Sequence, residues 1–177
     1  MERAKHERGM TLIELIVVLA IAGVLMGMAV PSYVVWRRTE QVRSGARDLA
    51  LALHRAKSFA VRRGNNVIVA FNSPAAGSYQ VVNDADGDCV ADGGEAVLYQ
   101  ASLPPNVIIP LTDNSFSSEN AAFDPRGLPL GDTGVACVPF GMGGGAGSGT
   151  ILVQMAGHNA QYLVSMSLAG GITVARQ

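Results

Sequence analysis

The sequence predicts an α+β chain in which a long N-terminal helix, transmembrane first and amphipathic afterwards, packs on an antiparallel β-sheet head. Three observations lead there. Met10 to Val35 is almost wholly apolar, with Glu14 as its one charge. Apolar residues then recur at helical spacing from Val42 to Ala60. From Val67 onward short strand-like runs alternate with turn signals. A helix followed only by strands places the helix against a sheet. Four segments result: a charged start (1–9), a transmembrane helix (10–35), an amphipathic stem (36–64) and a β-rich head (65–177).

The apolar run is long enough to span, since about 20 residues at about 1.5 Å rise cross the hydrocarbon core. A cleaved secretory signal would use Gly27-Met28-Ala29 as its small-x-small site, but it would not carry a carboxylate in its apolar core. A plain signal anchor explains the length and leaves Glu14 unpaired in lipid, at a cost of about 3 kcal/mol or more. Cleavage after Gly9 explains both features. Met10 then supplies a new amine, Glu14 becomes the fifth residue, and the two pair between neighbouring helices. Breaking such a pair strands a buried charge at a cost of about 3–5 kcal/mol, so the pair sets axial register.

Gly9-Met10-Thr11-Leu12-Ile13-Glu14-Leu15, behind a short leader with Arg3, Lys5 and Arg8, resembles the type IV pilin and pseudopilin superfamily. Met10 stands where phenylalanine is commonest. The resemblance implies prepilin-peptidase cleavage between Gly9 and Met10, N-methylation of Met10, and assembly through Glu14 with Thr11 beside it. Pro31 falls where the family often carries a helix-kinking proline, whose missing N–H breaks the helical ladder. The basic residues on the two sides of the span would by themselves favour the opposite orientation or none; the leader motif is more specific and takes precedence.

In the stem, Val42, Ala46, Leu49, Leu53, Ala56 and Ala60 form one apolar stripe, read as core. Arginine and lysine occupy the other face. Gly23 and Gly27 permit close helix contact, and Trp36 reads as an interfacial anchor. Gly64-Asn65-Asn66 supplies the stop. In the head, strands are expected at 67–72, 78–83, 96–101, 106–111, 135–140, 150–155, 160–167 and 172–176, with a glycine-rich loop over Gly141–Gly149. The Asp/Gly loop before an apolar strand, Phe123-Asp124-Pro125-Arg126-Gly127 and the closing hairpin resemble type II secretion protein H (GspH) and FimT-type minor pilins. Some of these bind DNA through a C-terminal Gly-Arg-x-Arg. Gly170-Gly171-Ile172-Thr173 stands at that place without either arginine, so DNA is not expected as a partner.

Charge agrees. The stretch 37–63 is +6 and the stretch 64–177 is −7, and an acidic head repels nucleic acid. Composition, at 49% apolar and 15% charged, excludes a disordered chain. The only cysteines, Cys89 and Cys137, are read as a disulfide of the exported head, closing a loop of about 50 residues and contributing about 4 kcal/mol. Two buried thiols are the alternative.

Asp84, Asp86, Asp88, Asp92 and Glu95 fall at positions 1, 3, 5, 9 and 12 of a twelve-residue loop, the oxygen spacing of an EF-hand calcium site. Cys89 occupies the place of the sharp-turn glycine, and strands rather than helices flank the loop. The competing reading is a hairpin loop whose aspartates and glycines serve turns. No cofactor is otherwise expected. His6, His54 and His158 have no metal spacing, and a hydrolase built from Ser165, Ser167 and His158 has no supporting motif.

The expectation is thus a structural, non-enzymatic subunit. It waits in the bacterial inner membrane with a periplasmic head, then enters the tip-priming complex of a type II secretion pseudopilus or a type IV pilus. Other minor pilins or pseudopilins, the major subunit, the prepilin peptidase, the assembly platform and membrane lipid are its expected partners. A DNA-binding or adhesive tip subunit and a signal-anchored periplasmic enzyme are the alternatives.

Overall fold

Helix α1 spans Leu12–Arg63 in a computed structural model that describes residues 10–110, 120–132, 137–139 and 148–177. The chain divides into two units, residues up to Arg37 and Arg38–Gln177.

In the first unit the side chains of α1 are almost all exposed, and this helix is long and apolar enough to cross a membrane. Pro31 lies inside it, with helix on both sides.

In the second unit the predicted stripe is the buried face of α1. Val42, Ala46, Leu49, Leu53, Ala56 and Ala60 have no exposed surface. Gly45 and the alanines keep this face low, so strands approach closely. A Cβ added at Gly45 would lie 3.1 Å from Cγ1 of Val107 and 3.3 Å from Cδ of Pro104. The helix ends as its residues require: Gly64 takes a φ of 72° and its N–H donates to the Ala60 carbonyl.

Ten strands follow among the described residues: β1 Asn66–Phe71, β2 Ser78–Asp84, β3 Ala96–Ser102, β4 Val107–Ile108, β5 Asn120–Phe123, β6 Pro129–Asp132, β7 Cys137–Pro139, β8 Ser148–Met155, β9 Gln161–Ser167 and β10 Ile172–Arg176. They form two antiparallel sheets, ordered β3-β2-β1-β5-β6-β7 and β10-β9-β8-β4, where the sequence suggested one. Alternate residues of both sheets meet the α1 stripe in one core: Val67, Val69 and Phe71 from β1, Phe123 from β5, Ile151 and Val153 from β8, Val164 and Met166 from β9. Ile68 points the other way and packs with Cys89, Ala122 and Leu130 in a second, smaller core. The loop after β2 therefore folds over the sheet face remote from α1.

Three expectations about strands are corrected. The run 106–111 pairs only at Val107–Ile108, because Pro110 has no N–H to give a ladder and residue 111 lies outside the described residues. β5 and β6 were not expected. Their short Asn-Ala-Ala-Phe and Pro-Leu-Gly-Asp sequences carry no clear alternation, and pairing with β1 creates the first of them. β8 starts at Ser148, so the glycine-rich loop ends earlier than Gly149; residues 140–147 lie outside the described residues.

Candidate functional site

The N-terminal site is built by the first turn of α1. Thr11 precedes the helix, and its Oγ1 accepts a hydrogen bond from the Glu14 backbone N–H at 3.3 Å. The Thr11 carbonyl accepts from the Leu15 N–H at 3.2 Å. Thr11-x-x-Glu14 is thus a helix cap, with an acid in the first turn where the helix dipole favours negative charge. The sequence reading joined these two residues through assembly and missed the cap, although Thr followed three residues later by Glu before an apolar run is its signature. Glu14, Thr11 and Met10 are all exposed, as are the large apolar side chains that follow. Gly9 lies outside the described residues.

The acidic loop between β2 and β3 is organised by its own backbone. Asp84 is buried, and its two oxygens accept from the N–H groups of Gly87 (2.7 Å) and Cys89 (3.3 Å). Asp88 accepts from Val90 N–H at 2.7 Å, and Asp92 from Gly94 N–H at 3.1 Å. Glu95 closes the loop, accepting from Ala85 N–H at 2.8 Å and Asp92 N–H at 3.4 Å. Cys89 takes a φ of 64°, the left-handed conformation that the expected glycine would have adopted. Oxygens of Asp84, Asp86 and Asp88 lie within 4.8 Å of one another; Asp92 and Glu95 are not in that group. Calcium takes six to eight oxygens, so an ion here would draw on backbone carbonyls and water beside these three carboxylates. Cys89 is buried on the Ile68 side of the sheet. The side chain of Cys137, on β7, lies outside the described residues.

Burial is the first cause that raises the carboxyl groups of Asp84 and Glu95 above their usual range; neighbouring aspartates add to it. A raised pKa means that the folded chain holds its protons more tightly than the unfolded one. The contribution to stability is then fully present below the unfolded pKa and is lost as pH rises through the folded value. We therefore expect the gap in thermal midpoint between wild type and Glu95→Gln to change with pH. Near pH 7 the variant should match or exceed wild type, and near pH 4 that advantage should vanish. Thermal unfolding of the detergent-solubilised chain at both pH values checks this; a gap independent of pH would contradict it.

On the other side of the head, Lys57 ties α1 to the closing hairpin, its Nζ donating to the Gly170 carbonyl at 2.9 Å. Gly170 has a φ of 72°, and a Cβ there would come within 2.7 Å of the Gly127 carbonyl oxygen. The segment Gly170-Gly171 is therefore a close-packed turn. Ser167 belongs to the same turn, its Oγ accepting from Gly171 N–H at 3.0 Å. His158 instead contacts Thr39, Nε2 to Oγ1 at 3.0 Å. Ser167 and His158 are thus engaged in separate contacts.

A family model described as type II transport protein GspH matches residues 45–170 of this chain. The chain belongs to the GspH family. A second model, the prokaryotic N-terminal methylation motif, matches residues 4–30 of this GspH-family chain and includes Gly9, Met10 and Glu14. The pilin-like protein PilA1 of Thermus thermophilus is 33% identical over 125 residues, covering 69% of this chain and 79% of that protein. The fold is similar to that of the type IV minor pilin FimU of Pseudomonas aeruginosa, with a TM-score of 0.53 at 18% identity over 75% of this chain and 91% of that one. It is also similar to the minor pseudopilin EpsH of the Vibrio cholerae type 2 secretion system, with a TM-score of 0.52 at 12% identity over 77% and 97% of the two chains. This GspH-family chain is accordingly a minor pilin or pseudopilin of the type II secretion and type IV pilus class.

Proposed function

We propose that the chain is a non-enzymatic subunit of the tip-priming complex of a pilin-type filament. It is held in the bacterial inner membrane by α1 with its head in the periplasm, cut after Gly9, methylated on Met10, and then drawn into the filament with other minor subunits and the major subunit. The observation that carries this is the methylation-motif match over residues 4–30, which includes an acid capped into the first turn of an otherwise apolar and uncovered helix. The prepilin peptidase and the assembly platform are the partners implied by that processing. No specific observation favours DNA binding: the turn at Gly170-Gly171 has glycine and no arginine, and the head carries a net charge of −7.

Intact mass of the purified protein tests the proposal. The expected result is loss of residues 1–9 together with one methyl group on Met10. A mature chain beginning at Val30 would mean ordinary secretion. We also propose that Cys89 and Cys137 are joined; the same sample, digested without reductant, should yield one peptide pair containing both. For the acidic loop we propose a turn held by its own amides. Added calcium should leave the melting temperature of the full chain unchanged, and a rise saturating with calcium would assign an ion to Asp84, Asp86 and Asp88 instead.

A further inference from the structure

The apolar run of α1 ends in charge that neither the fold nor the orientation of the chain explains. Tyr33 and Trp36 lie one turn apart, their ring centroids separated by 5.8 Å, and both are more than half exposed. Arg37, also exposed, follows directly, and Arg38 is the next residue in the chain. Glu40 is the only acid between Leu15 and Arg47, and it is taken by Arg43 at 3.6 Å. Among the described residues, Arg37 and Arg38 pair with no carboxylate. Basic residues beside a membrane span usually mark its cytoplasmic end, yet these two stand at the end read as periplasmic.

Their distance from the apolar run decides what meets them. The last residue of that run is Val35. The polar layer on each side of the hydrocarbon core is about 5–7 Å deep, or about four residues at about 1.5 Å rise, so Trp36 and Arg37 fall within it. Indole and phenol rings favour that depth, with an apolar body in oil and a polar edge in water. A guanidinium at the same depth meets phosphate groups, which its planar fork binds through two hydrogen bonds. A negatively charged leaflet adds long-range attraction to that contact.

We propose that Tyr33, Trp36 and Arg37 form a contact for the headgroup of an anionic phospholipid in the periplasmic leaflet, to which Arg38 adds a second charge. The proposal rests on the reading of α1 as a membrane anchor with the head outside. The rings set the depth, and the arginines select the charge of the headgroup. The contact belongs to the form that waits in the membrane, and it is given up when the helix is drawn into a filament. Anionic lipid thus adds to the hold on subunits not yet assembled.

Trp36 is the only tryptophan of the chain, so its fluorescence reads the contact without a label. The test places the full chain in vesicles of phosphatidylcholine and phosphatidylglycerol, with bromine on the upper acyl chains of one lipid or the other at the same mole fraction. Brominated phosphatidylglycerol should quench Trp36 as if enriched about fivefold around it. Salt raised from about 50 to about 500 mM should bring the two lipids close to parity. Arg37→Gln combined with Arg38→Gln should do the same at low salt, whereas Arg47→Gln, ten residues further along the chain, should leave the preference unchanged. All three side chains are exposed, and unchanged helix content by circular dichroism verifies that the variants fold. Equal quenching by both lipids in the wild type, a preference that survives the double substitution, or one lost with Arg47→Gln alone would each overturn the contact while leaving the anchor in place. Quenching by neither lipid would remove the anchor reading as well, so the two can fail separately.

Discussion

Glu14→Ala is expected to cut entry of the chain into filaments by about a hundredfold while leaving its level in the membrane unchanged. The magnitude follows from stranding the amine of Met10 without its carboxylate, a loss of about 3–5 kcal/mol for one member of a buried pair, where each 1.4 kcal/mol is about tenfold. Insertion itself should not suffer, because removing a charge makes the helix more apolar. Glu14→Gln separates charge from cap. The Glu14 N–H bond to Thr11 Oγ1 is a backbone donation and survives either substitution, so Gln should be as defective as Ala if charge is what matters. Thr11→Ala should have the smaller effect expected of a lost cap, about 1 kcal/mol. The measurement is the share of the chain in sheared filaments relative to membranes, by immunoblot. Wild-type incorporation of Glu14→Ala would remove the pairing mechanism.

How much of this was legible in the sequence depends on the kind of signal. The helix was legible from end to end, because a long apolar run and a stripe of period 3.6 are local patterns. All six residues of the stripe are buried. Gly64 could be recognised as the stop because glycine tolerates the φ of 72° that the cap requires. β5 was not legible. Asn120–Phe123 becomes a strand by lying against β1, in register Ala122 with Ile68, and nothing within four residues announces a partner some fifty positions earlier. The division into two sheets is equally non-local. For the acidic loop, the spacing of carboxylates was visible, but the use made of them was not. The sequence cannot reveal that Asp84 is buried beside Cys89 and spends its oxygens on the amides of Gly87 and Cys89. The same pattern of acids serves turns or an ion according to where the backbone N–H groups point.

The segment Phe123-Asp124-Pro125-Arg126-Gly127 carries the second large effect. Phe123 is fully buried in the core that joins β1, β5 and the α1 stripe. Phe123→Ala should therefore cost about 3–5 kcal/mol, since the cavity left behind cannot collapse between a helix and paired strands. The neighbouring Asp124 acts differently. It is buried, accepts from the N–H groups of Arg126 (2.9 Å) and Leu128 (2.8 Å), and pairs with the Arg126 guanidinium at 2.8 Å. Asp124→Ala would leave those amides without their acceptor, a penalty of about 1–3 kcal/mol. Arg126 is largely exposed, so Arg126→Ala removes only the outer half of the pair and should cost less than about 1 kcal/mol. The order Phe123 above Asp124 above Arg126 is the testable statement, read by chemical denaturation of the full chain in detergent. If Arg126→Ala proved as damaging as Phe123→Ala, the turn rather than the core would be what holds β5 in place, and the packing of the head on α1 would need another explanation.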